Sequence, residues 1–121
     1  MIAKWIDIDN GAWRVVVNYE VTPNDMPYIL KQLLAVGASD EDIEKAYRKF
    51  YSPNDAFTIS DDTQRMSLVC IGWTETRAQY HNSVVHEIDH VQRDIMEYYG
   101  VMPGSEEAAY LQGLLGQEMV L

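Results

Sequence analysis

Along "WRVVVNYEV" (13–21), Trp13, Val15, Val17, Tyr19 and Val21 face one way and Arg14, Asn18 and Glu20 share the other with Val16. That period of two predicts a strand with one buried face. "VTPNDMPY" (21–28) turns the chain into a helix carrying Met26, Leu30, Leu33 and Leu34, stopped near Gly37. "SDEDIEKAYRKFY" (39–51) opens with a capping pattern, Ser39 and Asp42 three apart. It continues with Ile43, Ala46, Tyr47, Phe50 and Tyr51 at helical spacing. "SPND" (52–55) breaks that pattern, and "AFTIS" and "RMSLVCIGW" around "DDTQ" read as a β-hairpin. From Thr74 a long helical pattern runs to Tyr99 and ends at Gly100. "VMPGS" turns the chain, and a last helix starts at about Ser105. The order β-α-α-β-β-α-α predicts an α+β fold, with a small, mainly antiparallel sheet packed with about four helices.

Length and composition narrow the classes. At 121 residues, with 47% apolar side chains, eight Tyr and three Trp, residues 1–121 are expected to form a single packed domain. The formal net charge of −10, with basic residues scattered, argues against a nucleic-acid partner, because affinity for phosphate backbones needs clustered Lys and Arg. "MIAKWIDIDN" lacks the apolar core of a signal peptide, and no apolar run approaches membrane-spanning length. A cytoplasmic chain without a membrane partner is the expectation. Cys70, alone and inside "MSLVCIGW", reads as buried filler and excludes an intrachain disulfide.

The chemistry is concentrated in "NSVVHEIDHVQ" (82–92). On a helix, residues four apart lie one turn apart on the same face, so His86 and His90 can offer two imidazoles to one ion. Glu87, about 100° round the axis, stands beside that ion, where a carboxylate can take a proton from a metal-held water. Val84, Ile88, Val91 and Ile95 form an apolar stripe on the opposite side. If the stripe is the core face, the histidines turn towards a cleft; the plainer reading is a solvated polar face. His81, about 140° round from His86, reads as a structural or substrate-side histidine rather than a third ligand. Asp89 can orient an imidazole through its outer nitrogen. Asp94 and Glu97 read as supporting or solvated carboxylates, and Arg93 as their surface partner.

A third ligand must come from elsewhere, and "PGSEEAAYLQG" (103–113) offers Glu106, which shares a helix face with Tyr110 and Gly113. Glu106 and Glu107 also suit the N-terminus of a helix capped by Ser105, with no metal involved. A simple antiparallel return would set the ligand deeper in the last helix, so Glu106 needs a steep crossing or an earlier start of that helix. Glu107 and Glu118 stay open as alternatives.

"VVHEIDH" with the downstream "EEAAY" resembles the gluzincin branch of the zincin-type zinc metallopeptidases. The longer pattern is similar to small zincin-like proteins encoded in phage and prophage genomes. The resemblance covers roughly residues 56 to 116 and rests on "HNSVVHEIDH", Gly100 and "SEEAAYLQG". It implies a minimal zincin-like domain whose active-site helix carries the motif and which holds one Zn2+. His86 and His90 match the first two ligands, Glu87 the general base and Glu106 the third ligand. Two departures stand out. The interval from His90 to Glu106 is short, and Tyr110 stands where many gluzincins have an Asp that supports a histidine. The family also places a strand along the cleft edge, and "RMSLVCIGW" is in that position.

The expectation is therefore a zinc-dependent peptidase acting on a peptide or protein substrate, with Glu87 moving the proton. Tyr110, Tyr99, His81 and Arg77 are the candidate oxyanion donors. One rival is a metal-binding but catalytically inactive zincin-like module of prophage origin. Another is an interaction protein in which "HEIDH" is accidental and the Tyr-rich helices serve a homodimer.

Overall fold

The computed structural model describes residues 1–50 and 55–120. Tyr51 and the break at 52–54 lie outside the described residues. The elements follow the order β1 (Ile2–Ile8), β2 (Trp13–Val21), α1 (Met26–Val36), α2 (Asp40–Phe50), β3 (Ala56–Asp61), β4 (Met66–Gly72), α3 (Arg77–Tyr99) and α4 (Glu106–Met119). A 3-10 turn at Pro23–Asp25 leads into α1. This is an α+β fold, with one four-stranded sheet in the order β1-β2-β4-β3. The pairings β1–β2 and β3–β4 are antiparallel, and β2–β4 at the centre is parallel.

β1 adds a strand that the sequence reading passed over. Its alternation is diluted because an edge strand keeps half its residues in water: Ile6 and Ile8 are buried, while Ile2 and Trp5 are exposed. The turn into β2 places Asp9, Asn10 and Gly11 at positive φ, a conformation that Asp, Asn and Gly tolerate best.

β2 corrects the expectation of one buried face. Trp13, Val15, Val17 and Tyr19 enter the core under α3 and α4, but Val16 enters a second core under α1 and α2. An irregularity between Asn18 and Val21, with Glu20 at φ 55°, moves Val21 into that second core as well. With helices on both sides, the central strands are buried on both faces. The same geometry re-aims α1. Ile29, Leu33 and Val36 are its buried residues, whereas Leu34, expected in the stripe, is 63% exposed.

Caps set the helix bounds, at Ser39, Gly100 and Ser105 as expected and at Thr76 two residues beyond the expected start of α3. Ser39 Oγ accepts from the Asp42 N–H at 3.1 Å. Thr76 and Gln79 form a capping box at the start of α3, and Gly100 at φ 70° ends it. Ser105 Oγ accepts from the Ala108 N–H and opens α4. Gly72 closes β4 against the chain entering β3: its N–H donates to the Asp55 carbonyl, and a Cβ there would overlap that oxygen. Cys70 is buried in the α1/α2 core, and burial pushes its thiol well above the usual range. No helix among the described residues is long and apolar enough to cross a membrane.

Candidate metal centre

α3 buries Val84, Ile88, Val91 and Ile95 against the sheet, the stripe read from the sequence. That fixes its rotation and turns His86 and His90 outward, on the face away from the core. Their Nε2 atoms stand 3.2 Å apart, with ring centroids 4.8 Å apart. Two ligands held 2.0–2.1 Å from a tetrahedral zinc ion stand about 3.3 Å apart, so the pair has the bite that such an ion requires. A single N–H···N hydrogen bond between one protonated and one bare nitrogen accounts for the same distance when no ion is present.

Glu87 is placed differently from its neighbours. It is 2% exposed, turned from the imidazole face towards β3, and its Oε1 accepts a hydrogen bond from Thr58 Oγ1 at 2.8 Å. Seven residues on, Asp94 Oδ2 accepts from Ser60 Oγ at 2.6 Å, so Asp94 is tied to β3 rather than simply solvated. Ser60 and the buried Ser67 share a 2.7 Å hydrogen bond, and Trp13 Nε1 donates to Ser67 Oγ at 2.9 Å. The side of α3 that meets β3 is thus a polar seam, in which the buried Glu87 and the half-buried Asp94 each have a hydroxyl partner. Sequence reasoning missed Thr58 and Ser60. The signal was the alternation of Phe57 and Ile59 with two hydroxyl residues on a strand covered on both faces.

β3, not β4, is the strand at the edge of the sheet beside the motif. "RMSLVCIGW" is interior because β4 pairs with β2 on one side and β3 on the other. Adjacency in sequence to α3 therefore misplaced the cleft strand by one position in the hairpin.

α4 packs on another side of α3, about 200° round the axis from His90 where Gln92 stands. Gln92 Nε2 donates to the Ala108 carbonyl at 3.2 Å, so the first turn of α4 crosses α3 close to the level of His90. One such contact does not bring Glu106 or Glu107 to the imidazoles, so the objection from the length of α3 stands. Both carboxylates are exposed. Among the described residues, no group of three or more His, Cys, Asp or Glu side chains is close enough to hold a metal. The structure brings together His86 and His90 and leaves Glu106 outside their group; Glu118, near the other end of α4, pairs with Lys4.

The other candidates disperse. Asp89 is committed to Arg93 at 2.6 Å, an exposed i,i+4 pair, and orients no imidazole. Tyr110 is 76% exposed. Tyr99 donates to the Ala12 carbonyl, about 14 Å along α3 from His90, and Arg77 lies as far from His86 in the other direction. His81 is exposed one and a half turns before His86. None of these side chains is set to stabilise an oxyanion at the imidazole pair.

No family model, curated protein or solved structure matches the chain.

Proposed function

We propose that this chain is a small zinc-dependent peptidase of zincin-like design. The observation that carries the reading is the 3.2 Å separation of two outward imidazole nitrogens on the helix that also bears Glu87. His86 and His90 would hold the ion, and Glu106, the third ligand that the resemblance implies, would have to move towards them to complete the set. Bound there, zinc supplies Lewis acidity, polarising a carbonyl and bringing the pKa of a water down to about 7. Glu87 would take a proton from the water that attacks the amide carbon and return it to the amine released when the C–N bond breaks. Apolar Val84, Val91 and Ile95 below the motif hold α3 rigid, so the imidazoles keep their spacing. The outer edge of β3 offers main-chain N–H and C=O groups to an extended peptide, with little demand on its side chains. A cytoplasmic setting goes with this reading, since the single cysteine is a buried free thiol.

A second reading, a metal-binding module without catalysis, is favoured by one observation: the Glu87 carboxylate is nearly enclosed and already engaged by Thr58. Metal analysis of protein purified without added zinc, followed by digestion of a broad peptide library with and without chelator, separates the two. One equivalent of zinc with chelator-sensitive cleavage supports the peptidase; zinc without cleavage supports the module. Absence of metal defeats both.

A further inference from the structure

We infer that the free edge of β1 is a self-association surface. A second copy of this chain pairs its β1 antiparallel to it and joins the two four-stranded sheets into one. The inference stands apart from the peptidase reading, since β1 is the sheet edge opposite β3.

The backbone supplies the first observation. Alternate residues of a strand aim their N–H and C=O at opposite neighbours. The Arg14 N–H donates to the Arg65 carbonyl, so Arg14 and Val16 face β4, while Val15 and Val17 face β1. Their β1 partners, Ile6 and Lys4, therefore turn inward to β2. Ala3, Trp5 and Asp7 aim their main-chain groups at the open edge, which nothing pairs with among the described residues. β1 follows β2 from Ile2 to Ile8 without a register shift and contains no proline. It lacks the bulge or proline by which many sheets blunt an edge.

The side chains select the occupant and the register. Ile2 and Trp5 stand on opposite faces of the edge, each 51% exposed. Trp5 is the middle of the seven residues, so a two-fold axis through it pairs the whole strand. There Trp5 meets Trp5, Ile2 meets Ile8, and Ala3 meets Asp7 with the outward main-chain groups matched. An axis at Lys4 or at Asp7 sets like charges opposite each other. One at Ile6 puts Trp5 against Asp7 and carries Ile2 past the end of the partner strand. Charge does not oppose the contact, although the formal net charge is −10. Lys4 is paired with Glu118 at 3.3 Å and Asp7 with Arg14 at 3.2 Å. The Arg14 guanidinium also lies 5.0 Å from the Trp5 ring centre, which positions the indole at the axis. A foreign peptide satisfies the main chain equally. Covering both exposed apolar side chains at once is a property of this strand against itself.

Sedimentation equilibrium of the full chain, up to millimolar concentration, tests the pairing. The wild type should move from 13.9 kDa to twice that mass as concentration rises. Trp5→Glu, which sets two carboxylates at the axis, should weaken the dimer by about 100-fold or more. Ala3→Pro should weaken it too, because it removes an outward N–H and spares the ladder to β2. Circular dichroism and urea midpoints check that both variants fold. The register is read from methyl NOEs. Ile2 and Ile8 stand about 20 Å apart within one strand, so a contact between them reports the second copy. A monomer at every concentration overturns the inference. So does a dimer that the folded variants leave intact, or one without the Ile2–Ile8 contact.

Discussion

The two sides of the sheet do the same mechanical job with different materials. Under α1 and α2, Ile29, Leu33, Val36, Ala46 and Phe50 meet Val16, Phe57, Ile59, Leu68 and Cys70. The buried polar group there, Asn18, is matched by Gln32, amide to amide, at 2.6 and 3.1 Å. Under α3 and α4, an apolar core of similar kind is bordered by Thr58, Ser60, Ser67, Glu87 and Asp94. A neutral amide pair satisfies itself inside a core at little cost. An acid does not, because removing a carboxylate from water is expensive even when a hydroxyl faces it. Among the described residues, Glu87 on the α3 side is the acid that is buried, with Thr58 as its hydroxyl partner.

Breaking each side should therefore have separable consequences. Glu87→Gln is expected to retain zinc while lowering turnover by about 10²- to 10⁴-fold; undiminished cleavage in that variant removes Glu87 from the mechanism. Leu33→Ala, in the dry core, should cost about 2–5 kcal/mol by urea unfolding and leave zinc stoichiometry at the wild-type value. A loss of metal in this variant would show that the two sides are not independent.

Smaller effects sharpen the contrast. Ser60→Ala deprives Asp94 and Ser67 of a partner and should cost about 1–3 kcal/mol, read from the same urea titration. The dry side should also respond to alkaline pH through Cys70. Burial, aided by the nearby Glu87 and Asp25 charges and opposed by Asn18, keeps the thiol protonated in the folded state. The unfolded thiol ionises near pH 8.5, so above that pH the unfolded chain holds fewer protons and stability falls as pH rises. The slope is up to about 1.4 kcal/mol per pH unit. Urea midpoints at pH 8, 9 and 10 should show this slope in the wild type and lose it in Cys70→Ala. The exposed Arg93–Asp89 pair comes last: Arg93→Ala should change stability by about 1 kcal/mol or less.

Much of this division is legible in the sequence, and the exceptions have physical causes. The 3.6-residue stripe of α3, its end at Gly100 and the outward histidines follow from local pattern, which a long, half-buried helix displays strongly. β2 was half legible, because alternation announces one buried face and the second depends on α1 and α2 covering Val16. β1 was hidden by its exposed edge. The seam was the least visible part, because Thr58 meets Glu87 only through the pairing order that brings β3 to the sheet edge. The separation of Glu106 from the imidazole pair turns on how the chain from Gly100 to Ser105 carries α4 back to α3, which no residue pattern records.

The parallel contact at the centre of the sheet also governs how the chain reaches this state. β1 with β2 and β3 with β4 join neighbours through short turns, whereas β2 meets β4 with partners far apart along the chain, Arg14 beside Met66 and Val16 beside Leu68. Two ribbons can thus form early and quickly, and their union must wait for the whole intervening segment to close. Glu87 meets its hydroxyl once α3 docks on the ribbon that precedes it in the chain, a closure shorter than the one that joins the two ribbons.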